Sequence, residues 1–216
     1  MIEVKDITKI YNPNSKNKFV ALKNINFKVN NGEIFALNGK SGSGKSTLLS
    51  LICGLDKPNS GEIIIENESI TKLSIKFMSE FRRKNIGIIF QNFNLIPTLS
   101  VFDNVLLPVL PSGVKEKKEF ANELLQKFEI FDKKTQKVKD LSSGEMQRVA
   151  LIRALINNPK IILADEPTAN LDSKMTEKLL EFFEILKNEN KTIIIATHDL
   201  SVINSQIITN SYEFEK

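Results

Sequence analysis

Gly39-Lys40-Ser41-Gly42-Ser43-Gly44-Lys45-Ser46 is a glycine-interrupted run that ends in a lysine and a hydroxyl. A run of this kind suits a phosphate chain. Glycines permit backbone torsions and close approaches that a Cβ would block. Successive N–H groups then turn inward around the anion, and the helix that follows adds its positive N-terminal end. Lys45 supplies a point charge to the β- and γ-phosphates of a nucleotide, and the Ser46 hydroxyl is a hard oxygen ligand for Mg²⁺. Thr47 adds an α-phosphate contact. The apolar run Ile34-Phe35-Ala36-Leu37 precedes the loop, and Leu48, Leu49, Leu51 and Ile52 follow it. A chance glycine-rich turn lacks this strand–loop–helix setting.

A second group of polar residues closes apolar strands. Ile161-Ile162-Leu163-Ala164 ends in Asp165-Glu166, at the carboxyl end of a strand, where open α/β sheets place ligands. Asp165 is expected to hold Mg²⁺ through water, and Glu166 to act as the general base that polarises an attacking water. A carboxylate suits that role, because phosphoryl transfer needs positioning more than strong basicity. Gln91 terminates the strand Ile86–Phe90, and His198, the one histidine of the chain, follows the buried run Ile193–Thr197. Ser142, Ser143 and Gly144 open a helix carrying Val149, Ala150, Ile152 and Leu155. The Ser142 hydroxyl can cap that helix, and the amides and dipole at its tip form a second anion site.

The elements that must position these groups follow from periodicity. Ile2, Val4 and Ile7 mark one strand and Leu22, Ile25, Phe27 and Val29 another, joined by the polar, turn-rich segment 12–18. Pro58–Gly61 reads as a turn and Ile63–Ile65 as a strand. From about 92 to 157 the pattern is helical, with Phe120, Leu124, Phe128 and Phe131 at helical spacing. Strand–helix alternation resumes with Ile161–Ala164, a helix near 173–189 and a last strand at Ile193–Ala196. Alternation of this type predicts a mostly parallel sheet covered on both faces. The expected fold is α/β: a P-loop NTPase core with an antiparallel β subdomain and an inserted helical subdomain. The whole of 1–216 is one domain, with 1–91 and 158–216 as core and 92–157 as the helical insert.

Bulk properties set bounds. The 216 residues are 41% hydrophobic and 26% charged, with a net charge of +4, which suits a globular core and singles out no partner. Cys53 is the only cysteine, so an intrachain disulfide is excluded and a cysteine-based metal site is not expected. No apolar run is long enough to span a bilayer. The start Met1–Asp6 has no secretory core, and no C-terminal regulatory domain is expected. The chain is expected in the cytoplasm, reaching a membrane only through a partner.

The phosphate loop, the segment Leu141-Ser142-Ser143-Gly144-Glu145-Met146-Gln147-Arg148 and the strand ending in Asp165-Glu166 occur in the order and spacing of one large family. Nearly the whole chain resembles the ATP-binding cassette ATPases. The resemblance implies ATP and Mg²⁺ as cofactors, and an ATP-driven homodimer in which the LSSGE segment of one subunit reads the nucleotide of the other. It makes Gln91 a ligand of Mg²⁺ or of the lytic water, and His198 the γ-phosphate contact. It makes Tyr11 an aromatic that stacks on adenine, and Asp172 part of the loop that couples the two sites across the dimer. Asp172 also reads as the N-cap of the next helix. Three positions depart from the family pattern. Ser143 replaces a more usual glycine, and its Cβ narrows the space beside the opposing nucleotide. Lys40 sits at a variable loop position, and Ala169 replaces a Ser or Gly.

Phe90–Val105, Phe19–Lys23, Gly54-Leu55-Asp56 and Leu106-Leu107-Pro108 resemble the LolD/MacB group of these ATPases. That resemblance implies a peripheral subunit at the inner face of the cell membrane, energising a permease that exports lipoproteins, peptides or drugs. Phe93, Leu95, Ile96 and Leu99 are candidates for gripping a short permease helix. An FtsE-like ATPase, regulating a membrane partner without moving solute, is the alternative. Soluble cassette proteins of DNA repair or translation carry coiled-coil insertions or tandem cassettes, neither of which is present, so no nucleic acid partner is expected. A P-loop GTPase would carry an Asn-Lys-x-Asp segment, which is also missing.

Overall fold

A computed structural model describes residues 1–169 and 171–214. In chain order the elements are β1 (Ile2–Tyr11), β2 (Phe19–Val29), β3 (Ile34–Asn38), α1 (Lys45–Ile52), β4 (Ser60–Ile65), β5 (Glu68–Ser69), α2 (Ile75–Asn85) and β6 (Ile86–Ile89). They continue with α3 (Val101–Leu106), α4 (Lys118–Lys127), α5 (Ser143–Leu155), β7 (Ile161–Asp165), α6 (Ser173–Asn188), β8 (Thr192–Thr197), α7 (Leu200–Ile203) and β9 (Asn210–Glu213). Two sheets form. One is antiparallel, in the order β2-β1-β4-β5; the other is parallel, in the order β6-β7-β8-β3-β9. The α/β fold expected from the alternation is the fold observed.

The parallel sheet explains why its strands are apolar throughout. Side chains alternate between faces, and both faces are covered. Ile34, Ile162, Ala164, Ile193 and Ile195 enter a core shared with α3 to α6. Their neighbours Phe35, Leu37, Ile161, Leu163 and Ile194 enter a second core, with α1 and the antiparallel sheet. The strand ends that carry the polar residues are therefore held between two packed layers.

Three local expectations change. The last strand is β9, not β8: Asn210–Glu213 pairs in parallel with β3. It is a polar edge strand with one partner, so it needs no apolar run. The helix α2 was not foreseen, because only Met78 is buried on it. The helical repeat 120/124/128/131 is interrupted: α4 ends at Lys127, Glu129 takes a left-handed φ of 55°, and Phe131 begins a separate 3₁₀ turn. Within the region, the fully buried Asn104 fixes the loop before α3. It accepts a 2.8 Å hydrogen bond from Ile96 N–H and donates to the carbonyls of Ile96 and Ser100.

Candidate functional site

The phosphate loop runs from the end of β3 into α1. Gly44 sits at the N-cap with φ 105°, and no side chain caps the helix. The amides of its first turn are thus left for another acceptor. Ser46 and Thr47 lie in that turn. A Cβ on Gly44 would stand 2.7 Å from the Ala21 carbonyl oxygen and 2.7 Å from Leu22 Cδ2, whereas one on Gly42 (φ 78°) would meet nothing within 4 Å. Gly44→Ala should therefore cost both the left-handed backbone and a clash, about 3 kcal/mol or more. Gly42→Ala should cost only the backbone, about 1–2 kcal/mol. Urea midpoints of the two variants check the difference. Beside them, a Cβ on Gly39 would press on Ser43 Oγ at 2.8 Å. Among the described residues that hydroxyl is buried with no hydrogen-bond partner. Lys40 and Ser41 form the exposed rim of the loop.

Lys45 is nearly buried. Its ammonium donates to the Gly39 carbonyl at 2.7 Å and the Lys40 carbonyl at 3.1 Å, and lies 3.3 Å from Glu166 Oε1. The same carboxylate oxygen lies 2.8 Å from His198 Nδ1. The Ser46 hydroxyl donates to Asp165 Oδ1 at 2.9 Å. Five residues drawn from three parts of the sequence thus meet at one sheet edge. Burial pushes the Asp165 carboxyl above its ordinary range and the Glu166 carboxylate adds to this, while the Ser46 hydroxyl and Lys45 oppose it. A cation against Asp165 would relieve that charge.

Backbone geometry aims the acids. Glu166 leaves β7 with φ 44°, a left-handed value uncommon for a carboxylate residue, while its N–H still donates to Ala196 O at 2.8 Å. The turn swings its side chain to Lys45 and His198. Thr168 Oγ1 donates to Asp199 Oδ2 at 3.0 Å, which ties the loop after β7 to the loop that carries His198. Gln91 reaches the same edge. In the β6–β7 register Ile89 faces Ala164, so Gln91 lies just beyond the strand end, exposed. The strand itself stops at Ile89, one residue short of the expected Phe90.

The segment expected to form a second anion site has the helix start that the sequence predicts. Ser142 caps α5 in a reciprocal box: its Oγ accepts from Glu145 N–H at 3.4 Å, and Glu145 Oε2 accepts from Ser142 N–H at 2.9 Å. Lys133 pairs with Glu145 and holds its carboxyl below the usual range. Ser143 is the exposed first residue of α5. A Cβ on Gly144 would come within 3.1 Å of Met175 Cε. Asp172 caps α6, its Oδ1 accepting from Met175 N–H at 2.8 Å. The neighbouring Asn170 lies outside the described residues.

Gln147 lies within the segment Leu141–Arg148, where its residue type alone implies no role. It is 3% exposed, and its Nε2 donates to the Pro167 carbonyl at 2.6 Å. The start of α5 is thereby bonded to the loop beside Glu166. Sequence reasoning also missed the surroundings of Tyr11. At the end of β1, the Tyr11 hydroxyl donates to Asp56 Oδ2 at 3.1 Å, and the Lys9 ammonium lies 4.9 Å from its ring centroid. Partial burial works against the Asp56 carboxylate, yet Lys9, the Lys57 N–H and Tyr11 hold its pKa below the ordinary value.

Of the four residues expected to grip a helix, Phe93, Leu95, Ile96 and Leu99, none lines the large surface groove. That groove, about 890 Å³, runs between α2, β6, the 3₁₀ turn Leu107–Ser112 and the end of α5. Ile75, Arg83, Phe90, Pro108 and Arg153 are among its walls.

The family profile described as ABC transporter matches residues 22–169. An ABC transporter ATP-binding protein of Thermotoga maritima is 41% identical over 94% of this chain and 88% of its own length. MJ0796, an ABC transporter ATP-binding protein of Methanocaldococcus jannaschii, is 43% identical over 94% of this chain and 88% of its own. The dimeric structure of MJ0796 in a post-hydrolysis state, bound to ADP and Pi, superposes with a TM-score of 0.86 at 41% identity, covering 94% of this chain and 90% of that one. The chain belongs to the ABC transporter family, as an ATP-binding subunit with ATPase activity. Among the described residues no helix is long and apolar enough to cross a membrane.

Proposed function

We propose that two copies of this chain clamp two Mg²⁺–ATP molecules, each between the phosphate loop of one copy and Ser142-Ser143-Gly144 of the other. The observation that carries this reading is the convergence of Lys45, Ser46, Asp165, Glu166 and His198 at one sheet edge. Lys45 and the amides from Gly39 to Thr47 bind the phosphates, with Lys40, Ser41 and Ser43 completing the loop. Tyr11 stacks on the base. Ser46 and Asp165, with Gln91, would hold Mg²⁺, which supplies charge neutralisation of the triphosphate. This donor set fits a cation that is held by few protein oxygens together with phosphate and water. Glu166 orients and deprotonates the attacking water. His198 fixes the Glu166 carboxylate and contacts the γ-phosphate.

A nucleotide bridging two subunits binds the closed pair better than the open one, and this differential affinity is what shifts the equilibrium. Asp172 carries that change between the sites. The 890 Å³ groove receives a short helix of an integral membrane permease. Exposed Ile75, together with Phe90 and Pro108, offers apolar contact, and Arg83 and Arg153 favour an acidic partner. The place of action is the cytoplasmic face of the membrane, and the export of lipoproteins, peptides or drugs follows from the resemblance to the LolD/MacB group.

Turnover measured against protein concentration tests the clamp. The rate per chain should rise steeply with concentration and level off once pairs form. A constant rate per chain at dilutions where only monomer elutes would overturn it.

A further inference from the structure

Tyr11 sits in a built environment that simple packing does not explain. The residue is 36% exposed, so it does not belong to the core. One ring face carries the Lys9 ammonium at 4.9 Å, and the hydroxyl is tied to Asp56 at 3.1 Å. Lys9 is itself 9% exposed. Its charge is met by Asp56 Oδ1 at 2.7 Å and the Lys57 carbonyl at 2.7 Å. A buried ammonium needs such partners, but those partners do not require it to lie over an aromatic ring. The turn after α1 is also laced to the end of β1: Asn59 N–H donates to Thr8 O at 2.9 Å, and Ile10 N–H donates to Asn59 Oδ1 at 2.7 Å. On the other side, Tyr11 pairs with Phe19 of β2. Two and three residues further along β2, Ala21 and Leu22 form the wall against Gly44 of the phosphate loop. The ring is thus held rigidly near the loop with one face already taken.

We propose that Lys9 and Asp56 are positioning residues that hold Tyr11 as a one-sided platform for the nucleobase and thereby set nucleotide affinity. The proposal rests on the reading of Tyr11 as the base-stacking residue. Lys9 draws π-density toward its own face, which lessens the repulsion between the Tyr11 ring and a base stacked on the opposite face. Asp56 fixes the ring plane through the hydroxyl and anchors the ammonium behind it. Neither side chain lies at the sheet edge where Glu166 acts, so both act on binding and leave the chemical step alone.

The experiment compares ATP with inorganic tripolyphosphate, which offers the phosphates without a base. KM and kcat for ATP, and the inhibition constant of Mg²⁺–tripolyphosphate, are measured on the full chain carrying Lys9→Met, Lys9→Arg, Asp56→Asn, Tyr11→Phe or Tyr11→Ala. Lys9→Met should raise the KM for ATP about five- to tenfold, with kcat and tripolyphosphate inhibition within about twofold of the parent. Lys9→Arg should restore most of the loss, because it keeps a cation over the ring. Asp56→Asn and Tyr11→Phe, which do not remove the buried cation, should each raise KM about two- to threefold. Three results overturn the proposal. In the first, Tyr11→Ala raises the KM for ATP while Lys9→Met and Asp56→Asn leave it unchanged. In the second, ATP and tripolyphosphate weaken together, which marks general damage to the turn. In the third, Tyr11→Ala itself leaves the KM for ATP unchanged, so that the stacking reading fails first and the proposal with it. Should Lys9→Met not fold, Tyr11→Phe decides alone: an unchanged KM for ATP rejects the tie to Asp56.

Discussion

Glu166→Gln is expected to release phosphate about 10²–10³-fold more slowly than the parent chain while still binding ATP. The carboxamide has the shape of the carboxylate and cannot take a proton from water. Two contacts change with it. Lys45, 3.3 Å from Glu166 Oε1, no longer shares its charge with a carboxylate, so an incoming γ-phosphate no longer competes with that anion for the ammonium. His198 Nδ1, 2.8 Å from the same oxygen, loses an anionic partner. ATP affinity should therefore hold or rise, and the variant should accumulate as an ATP-bound pair. A phosphate-release assay and elution volume with and without ATP test both halves. Normal turnover would remove Glu166 from the mechanism. Slow turnover without an ATP-dependent shift in elution would leave the catalytic role standing and reject the clamp.

Lys45→Met carries the second large effect, on binding and stability together. Replacing a charge-assisted phosphate donor should weaken ATP binding about 100-fold or more. The same change leaves Glu166, 8% exposed, without its cation. Removing one partner of a buried ion pair costs about 3–5 kcal/mol, because the other charge stays buried. The variant should therefore be less stable than the parent by an amount of that order. The double variant Lys45→Met, Glu166→Gln should recover much of the loss, since no orphan charge remains. Urea unfolding of the parent, the single variant and the double variant reads the effect. A single variant as stable as the parent would mean that the 3.3 Å pair contributes little.

The parts of the site legible in the sequence are those whose chemistry is local. Gly39 to Ser46 carries its strand before it and its helix after it, so the loop announces its own setting. Asp165-Glu166 ends an apolar run that reads as a buried strand, and Ser142 ahead of an apolar helix reads as its cap. What stayed hidden depends on distant partners or on weak burial. Gln147 meets Pro167 twenty residues away, and Lys9 meets Asp56 forty-seven residues away; no periodicity records either bond. α2 buries a single methionine, and β9 is a polar edge strand, so neither carries the apolar rhythm by which elements are read. The large groove is not legible in the sequence for a similar reason. Phe93 to Leu99 are apolar in sequence, but the concave surface is made where α2 and the 3₁₀ turn after α3 meet β6.

The bond from Gln147 to the Pro167 carbonyl has a consequence for a pair of identical chains. Within each chain it joins the capped start of α5 to the loop beside Glu166. Under the proposed clamp, a shift at the nucleotide facing one end of this bond would reach the residues at the other end over a 2.6 Å contact. Paired chains would then sense each other's nucleotide through their own fold, before any membrane protein takes part.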